Sequence, residues 1–427
     1  MACRTVFILI CVALVVFCLT GRTETAAPSQ NRSSPGGTVF AYVATSDGNI
    51  AGYRVAPNTG RIEPLPGKIG ITIPGLSLER LLLTKHPSGR FLYAASAFRA
   101  DRDGYPFHEN PVPARKFTAI RAYRVERSGK LTPVQTLTVP AAVGDLVMHP
   151  GGSRLYAPTG LPGNNPNAGN RVFLLRVLPD GRLRREPSDA VADLGFYYED
   201  FYFKGEWQFF FVPGGKMAYN RTVSSSNEYY HTYYSRYSVP KGGALVADPG
   251  GYWVGYGSSK RATSVDRDPG TFAGWSSDGR TAFLNSGSSN RVWLCPVNSR
   301  GQIQARGGSP PYLSLPPPQS GDFRPAILCA HPTRPFVYHG APGSRVPCSA
   351  YKIIGPGRLK HIGTFRSGFA VGMSSRRLIA EPTGRFLYEI EYNASGTTPV
   401  RHAVYKVGAD GVPKLLSPPV ALRMVGI

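Results

Sequence analysis

Several familiar catalytic signatures are missing from this chain of 427 residues. There is no G-x-S-x-G elbow, no H-E-x-x-H, no C-x-x-C and no phosphate-cradling glycine loop, which excludes the standard hydrolase, zinc and nucleotide sites. Cysteine is scarce. Of six, Cys3, Cys11 and Cys18 fall in the first 21 residues, leaving Cys295, Cys329 and Cys348, an odd number without metal-ligand spacing. At most one disulfide can form among them, so the fold does not rest on a cysteine framework. Acidic residues are few, 26 against 49 basic ones, giving a formal net charge of +23. The 12 lysines and 37 arginines are scattered singly and make no run of the kind that binds nucleic acid, so no nucleic-acid partner is expected. Such a surface either serves solubility alone or meets a polyanion, an acidic polysaccharide or the face of an anionic membrane.

Sustained helical periodicity is also lacking, while Gly (49) and Pro (39) are abundant and Tyr and Phe plentiful. That is the composition of many short strands joined by turns. Only one apolar run is long. "MACRTVFILICVALVVFCLTG" has a basic residue, an apolar stretch from Val6 to Leu19 and then small polar residues, the layout of an export signal over residues 1–21. The run is short of the ~20 residues that span a bilayer. Residues 22–35, rich in Ser, Thr, Ala and Pro, read as a disordered spacer, and a secreted or periplasmic location is expected.

Residues 36–427 are dominated by a recurring frame. "HPSGRFLYAAS" from His86 returns as "HPGGSRLYAPT" from His149, "VPGGKMAYN" from Val212, "SSDGRTAFLNS" from Ser276, "HPTRPFVYHG" from His331 and "EPTGRFLYEIE" from Glu381, with a worn copy, "SPGGTVFAYVA", from Ser34. One copy arrives every 50 to 64 residues. Each reads as a turn between two strands. A third strand ("TAIRAYRVE" from Thr118, "RHAVYKVGA" from Arg401) and a fourth after a glycine turn ("GKLTPVQTLTV" from Gly129) complete the unit. Four short strands repeated seven times predict an all-β, seven-bladed β-propeller of four-stranded antiparallel blades. The segment before the first copy is polar, so the apolar C-terminal stretch "PPVALRMVGI" (418–427) is expected to supply the missing inner strand and close the ring. Closure removes open edges, and a monomer is expected.

The tandem frame resembles the lactonase-type seven-bladed propellers, the group that includes bacterial 6-phosphogluconolactonase, with likeness from Gly36 to Ile427; the tyrosine-valine-repeat surface propellers share much of it. The resemblance implies hydrolysis of a lactone, a carbohydrate-type one for an exported chain. Departures are plain. Phosphogluconolactonase-like members carry an H-x-H pair near a D-L-G sequence; here no H-x-H occurs, and "ADLGFYYED" (192–200) precedes its turn motif. Catalysis and simple recognition of a glycan, cell-surface component or protein both stay open.

His86, His149 and His331 each precede a proline in a turn of a different blade, and are read as structural. Irregular insertions are better places for a site. The longest, "AFRADRDGYPFHENPVPARKF" (97–117), offers Arg99, Arg102 and His108 for substrate; Asp101 and Asp103 mimic the start of a calcium loop whose later acidic ligand is missing, so neither metal nor cofactor is expected. The fourth unit is the other anomaly, with "FYYEDFYFKGEWQFFF" (196–211) and "NEYYHTYY" (227–234). From it Glu199, Glu228 and His231 are candidate acid-base groups, and Tyr198, Tyr229 and Tyr230 candidate faces for a sugar ring, unless packing claims them. Arg377 is a candidate oxyanion holder and Arg80 a substrate contact, since both open inner strands. N-x-S/T sequences occur at Asn31, Asn220 and Asn393.

Overall fold

The protein was described from a computed structural model. It describes residues 15–20, 38–44, 49–67, 69–70, 80–97, 118–140, 143–159, 172–186, 202–203, 208–225, 229–259, 272–285, 291–304, 312–314, 327–340, 347–369, 376–392 and 399–421. These fall into seven antiparallel sheets, and no helix occurs among them. Each sheet is built from consecutive strands, inner, second, third and outer. Blade two shows the pattern: Arg80–Lys85, Phe91–Ala97, Thr118–Val125 and Leu131–Val139. Blade four departs from it. Two short segments, Tyr202–Phe203 and Gln208–Phe211, share the inner position, and its outer strand Val246–Ser259 pairs through two register shifts.

The strands alternate apolar residues to both faces because each blade is sandwiched between two others. Seven buried clusters result, one per interface. Phe40, Tyr42, Leu83 and Leu92 join blades one and two, Tyr338, Ala350, Leu387 and Tyr405 join six and seven, and Val39, Tyr53, Tyr388 and Ile390 join seven back to one. That last cluster closes the ring.

The recurring frame is the hardware of these interfaces. In four blades the tyrosine of the second strand donates its hydroxyl to a glycine carbonyl in the third-to-outer turn of the next blade: Tyr42 to Gly129, Tyr93 to Gly181, Tyr156 to Gly243 and Tyr388 to Gly60, at 2.6 to 3.2 Å. The turn glycine has to be glycine. Gly181 has φ +86°, and a Cβ there would lie 2.3 Å from the Phe91 ring. On the inner turns His86, His149 and His331 place Nε2 at 2.9 to 3.0 Å from the carbonyls of Gly152, Gly215 and Gly384 in the following blade. In the first two, Nδ1 accepts a backbone N–H, from Ser88 and Gly151, so only the neutral Nε2–H tautomer satisfies both bonds. The histidines are inter-blade pins.

One expectation is corrected. The inner position of blade one is filled by Val15–Thr20, paired antiparallel with Thr38–Ala44 in a register running from Val15↔Val43 to Thr20↔Thr38. The apolar run read as an export signal thus supplies the strand assigned to 418–427. Residues 418–421 instead continue Pro413–Ala421, the outer strand of blade seven, because the nine-residue neighbour Pro399–Val407 extends alongside as far as Arg401↔Ala421. Residues 422–427 lie outside the described residues. The three thiols Cys295, Cys329 and Cys348 are free, and burial pushes each up to about 12.

Candidate functional site

The chain enters every blade at the start of its inner strand and turns back at the His-Pro frame. One face of the disc therefore carries the inner and outer turns. The other, the loop face, carries the second-to-third loops and the connections between blades. Inner strands begin on the loop face, at Arg80, Gln208, Phe272 and Arg376 among others. Gln208 is spent on structure: its amide donates to the Phe272 carbonyl and accepts the Phe272 N–H, stapling blade four to five.

Arg376 heads the most polar buried cluster on this face. Its side chain is 2% exposed, and it pairs in register with Glu391 of the second strand, Phe386–Tyr392. Glu389 and Glu391 point toward blade six, alternating with Tyr388, Ile390 and Tyr392, which point toward blade one. Arg376 lies 3.8 Å from Glu389 and 3.9 Å from Glu391, and its NH1 donates to Ser367 Oγ at 3.3 Å. Outward, the half-exposed Arg401 grips Glu391 through two nitrogens at 2.5 Å. Inward, Glu389 accepts from Ser367 Oγ, Gly368 N and Tyr405 OH. Both guanidinium groups also stand over the Phe369 ring, at 5.2 and 5.3 Å.

The result is a row of alternating charge, Arg401, Glu391, Arg376 and Glu389, running from solvent into the blade six–seven interface. Burial, reinforced by Glu389, raises the Tyr405 phenol, so it stays protonated and donates. Glu389 thus meets three donors, and both Arg401 nitrogens converge on one oxygen of Glu391. The row is formally neutral, two arginines against two carboxylates. Two further buried histidines are neutral. Burial pushes His402 down to about 4 and His339 to about 3, and His339 Nε2 has no hydrogen-bond partner.

Arg377, the next residue, faces the other way and is half-buried, its guanidinium 5.5 Å over the Tyr392 ring. His231, Tyr229 and Tyr230 lie on the third strand of blade four, Tyr229–Ser238, with His231 opposite Ser224 and Tyr256. The backbone of Arg80 is the first residue of the blade-two inner strand, opposite Ala97. Glu199, Glu228, Tyr198, Arg99, Arg102 and His108 lie outside the described residues. Blades four and seven are three steps apart around the ring, so His231 and Arg377 can meet one ligand only across the channel mouth. Among the described residues no group of three or more His, Cys, Asp and Glu lies together as a metal site. Asn220 of the N-R-T sequence is fully buried beside its cross-strand partner Ser235, out of reach of a glycan in the folded protein.

The sequence pointed to Arg377 rather than to its neighbour Arg376, and not to Glu389, Glu391, Ser367 and Tyr405. A signal existed for the two glutamates: "FLYEIEY" sets two carboxylates where the matching strand "FLYAASA" has alanines and a serine.

No protein-family model matches the chain, and no curated protein matches it in sequence. Solved structures do. A 6-phosphogluconolactonase-like protein of Bacteroides fragilis superposes with TM-score 0.56 at 14% identity, over 92% of this chain and 97% of that one. A similar protein of Bacteroides uniformis gives TM-score 0.54 at 15% identity, over 96% and 97%. The periplasmic gluconolactonase PpgL of Pseudomonas aeruginosa gives 0.55 at 17%, over 90% and 97%. At such identities the likeness is one of fold, and the fold it shares with these proteins along nearly its whole length is the seven-bladed β-propeller.

Proposed function

We propose that the protein is a lactone hydrolase working outside the cytoplasm, with a carbohydrate-type lactone bound at the loop face. What carries this reading is the end-to-end match to a periplasmic gluconolactonase. In the reaction a base, His231, Glu228 or Glu199, takes a proton from water as its oxygen attacks the lactone carbonyl. Arg377 holds the developing oxyanion, and the ring C–O bond then breaks, the leaving alkoxide taking back the proton from the base, to give the hydroxy acid. Arg80, Arg99, Arg102, His108, Tyr198, Tyr229 and Tyr230 position the sugar. The segment Val15–Thr20 has two possible fates, export signal or blade strand. Mass spectrometry of the N-terminus of protein recovered outside the cell reads which: a chain starting after Gly21 supports cleavage, an intact Met1 retention as a strand.

A second reading, recognition without chemistry, is favoured by the pairing of Glu389 and Glu391 with Ser367, Gly368, Tyr405 and Arg401. Initial rates on a panel of aldonolactones and aromatic lactones separate the two. Turnover lost in His231→Ala or Glu228→Ala and weakened in Arg377→Ala supports hydrolysis. Absence of turnover, with binding retained on a glycan array, supports recognition.

A further inference from the structure

On the turn face, a basic residue directly follows the inner-turn glycine in four frames, Arg90, Lys216, Arg280 and Arg385, and two more lie near it, Arg334 after Thr333 and Arg154 at the start of its second strand. These turns are joined around the rim. Gly152, Gly215 and Gly384 accept from the histidine of the preceding blade, and a Cβ on Gly279 would touch Pro213. The turns that carry these cations therefore sit side by side around the channel, with Arg334 turned onto the Gly408 and Gly384 carbonyls. Arg90, Lys216, Arg280 and Arg385 are exposed, whereas Arg154 and Arg334 are half-buried. Against them the inner turns hold Asp278 and the fully buried Glu381, whose carboxylate is taken by Thr383 and the Arg385 N–H. Farther out on the same face, the third-to-outer turns add exposed Arg61, Lys130, Arg182, Lys241, Arg300 and Arg358, opposed by Asp180, Asp410 and the half-buried Glu126.

We propose that this cationic ring is a docking surface for an anionic lipid bilayer. A ring of charges spread over six of the seven blades meets a plane all at once; a linear polyanion crossing the disc reaches only the two or three blades along its path. Docked this way the protein turns its loop face, with the cluster at Arg376, away from the membrane and toward solvent. The inference does not depend on lactone hydrolysis. Each basic side chain near an anionic surface strengthens binding about fivefold, and the effect falls off with salt.

The test is co-sedimentation of the full chain with phosphatidylcholine vesicles with and without phosphatidylglycerol. The expected result is salt-sensitive binding to the anionic vesicles alone. The combined Arg90→Gln, Lys216→Gln, Arg280→Gln and Arg385→Gln variant should bind on the order of several hundredfold more weakly, while the corresponding all-lysine variant binds like the wild type. Absence of binding to anionic vesicles would overturn the proposal, as would equal binding by the glutamine variant with its melting temperature unchanged. Binding of a soluble linear polyanion as tight as that of the vesicles, and equally sensitive to the four substitutions, would overturn it in favour of a polysaccharide.

Discussion

Tyr388 and Tyr338 occupy the same position in neighbouring blades, and the same substitution should act oppositely in them. Tyr388 is fully buried and donates to the Gly60 carbonyl at 2.6 Å, the bond that fastens blade seven to blade one. Tyr388→Phe removes it and strands a buried carbonyl, at a cost of about 1 to 3 kcal/mol. Tyr338 is equally buried, but its hydroxyl has no hydrogen-bond partner. Tyr338→Phe deletes an unsatisfied polar atom, so stability should stay within about 0.5 kcal/mol of wild type or rise. Urea unfolding followed by tyrosine and tryptophan fluorescence gives both midpoints. Equal losses in the two variants would refute the assignment of the tyrosine hydroxyl as the inter-blade fastener.

Gly181→Ala and Gly67→Ala both place alanine at positive φ, +86° and +84°, but only the first meets a ring, so Gly181→Ala should cost at least about 2 kcal/mol more in the same assay. Arg376→Met leaves two buried carboxylates with one guanidinium fewer and should cost about 3 to 5 kcal/mol, whereas Arg377→Met, half-buried over Tyr392, should cost less than half of that. Burial holds His331 and His402 near 4 and His339 near 3, while unfolded imidazoles titrate near 6.5. In that window the unfolded chain binds more protons, so stability is flat above about pH 6.5 and falls as pH drops toward 4. His339 alone should account for about 2 kcal/mol at pH 5, a loss that a His339→Phe variant no longer shows in melts across that range.

The blades were legible because the residues that build them recur. The His-Pro turn, the second-strand tyrosine and the turn glycine each bond to the next blade, so one interface repeated around the ring writes itself into the sequence as a period. Closure was misread because Val15–Thr20 is apolar enough to serve as either signal or strand, and composition does not distinguish them. The charged row was only half visible. Arg376 and Arg377 are adjacent in sequence but face opposite interfaces, and Glu389 meets Ser367 and Tyr405 only after blade six packs on blade seven. Such pairings depend on which side of a blade a residue faces, which alternates with single-residue register.

The most direct test of the functional reading is the initial rate of gluconolactone hydrolysis by the purified full chain, followed by pH-stat against the spontaneous rate at the same pH. Saturable turnover well above background, abolished by His231→Ala in a variant that still melts like the wild type, is the predicted result. A rate indistinguishable from background on gluconolactone and on every other lactone of the panel would contradict it and leave a recognition propeller.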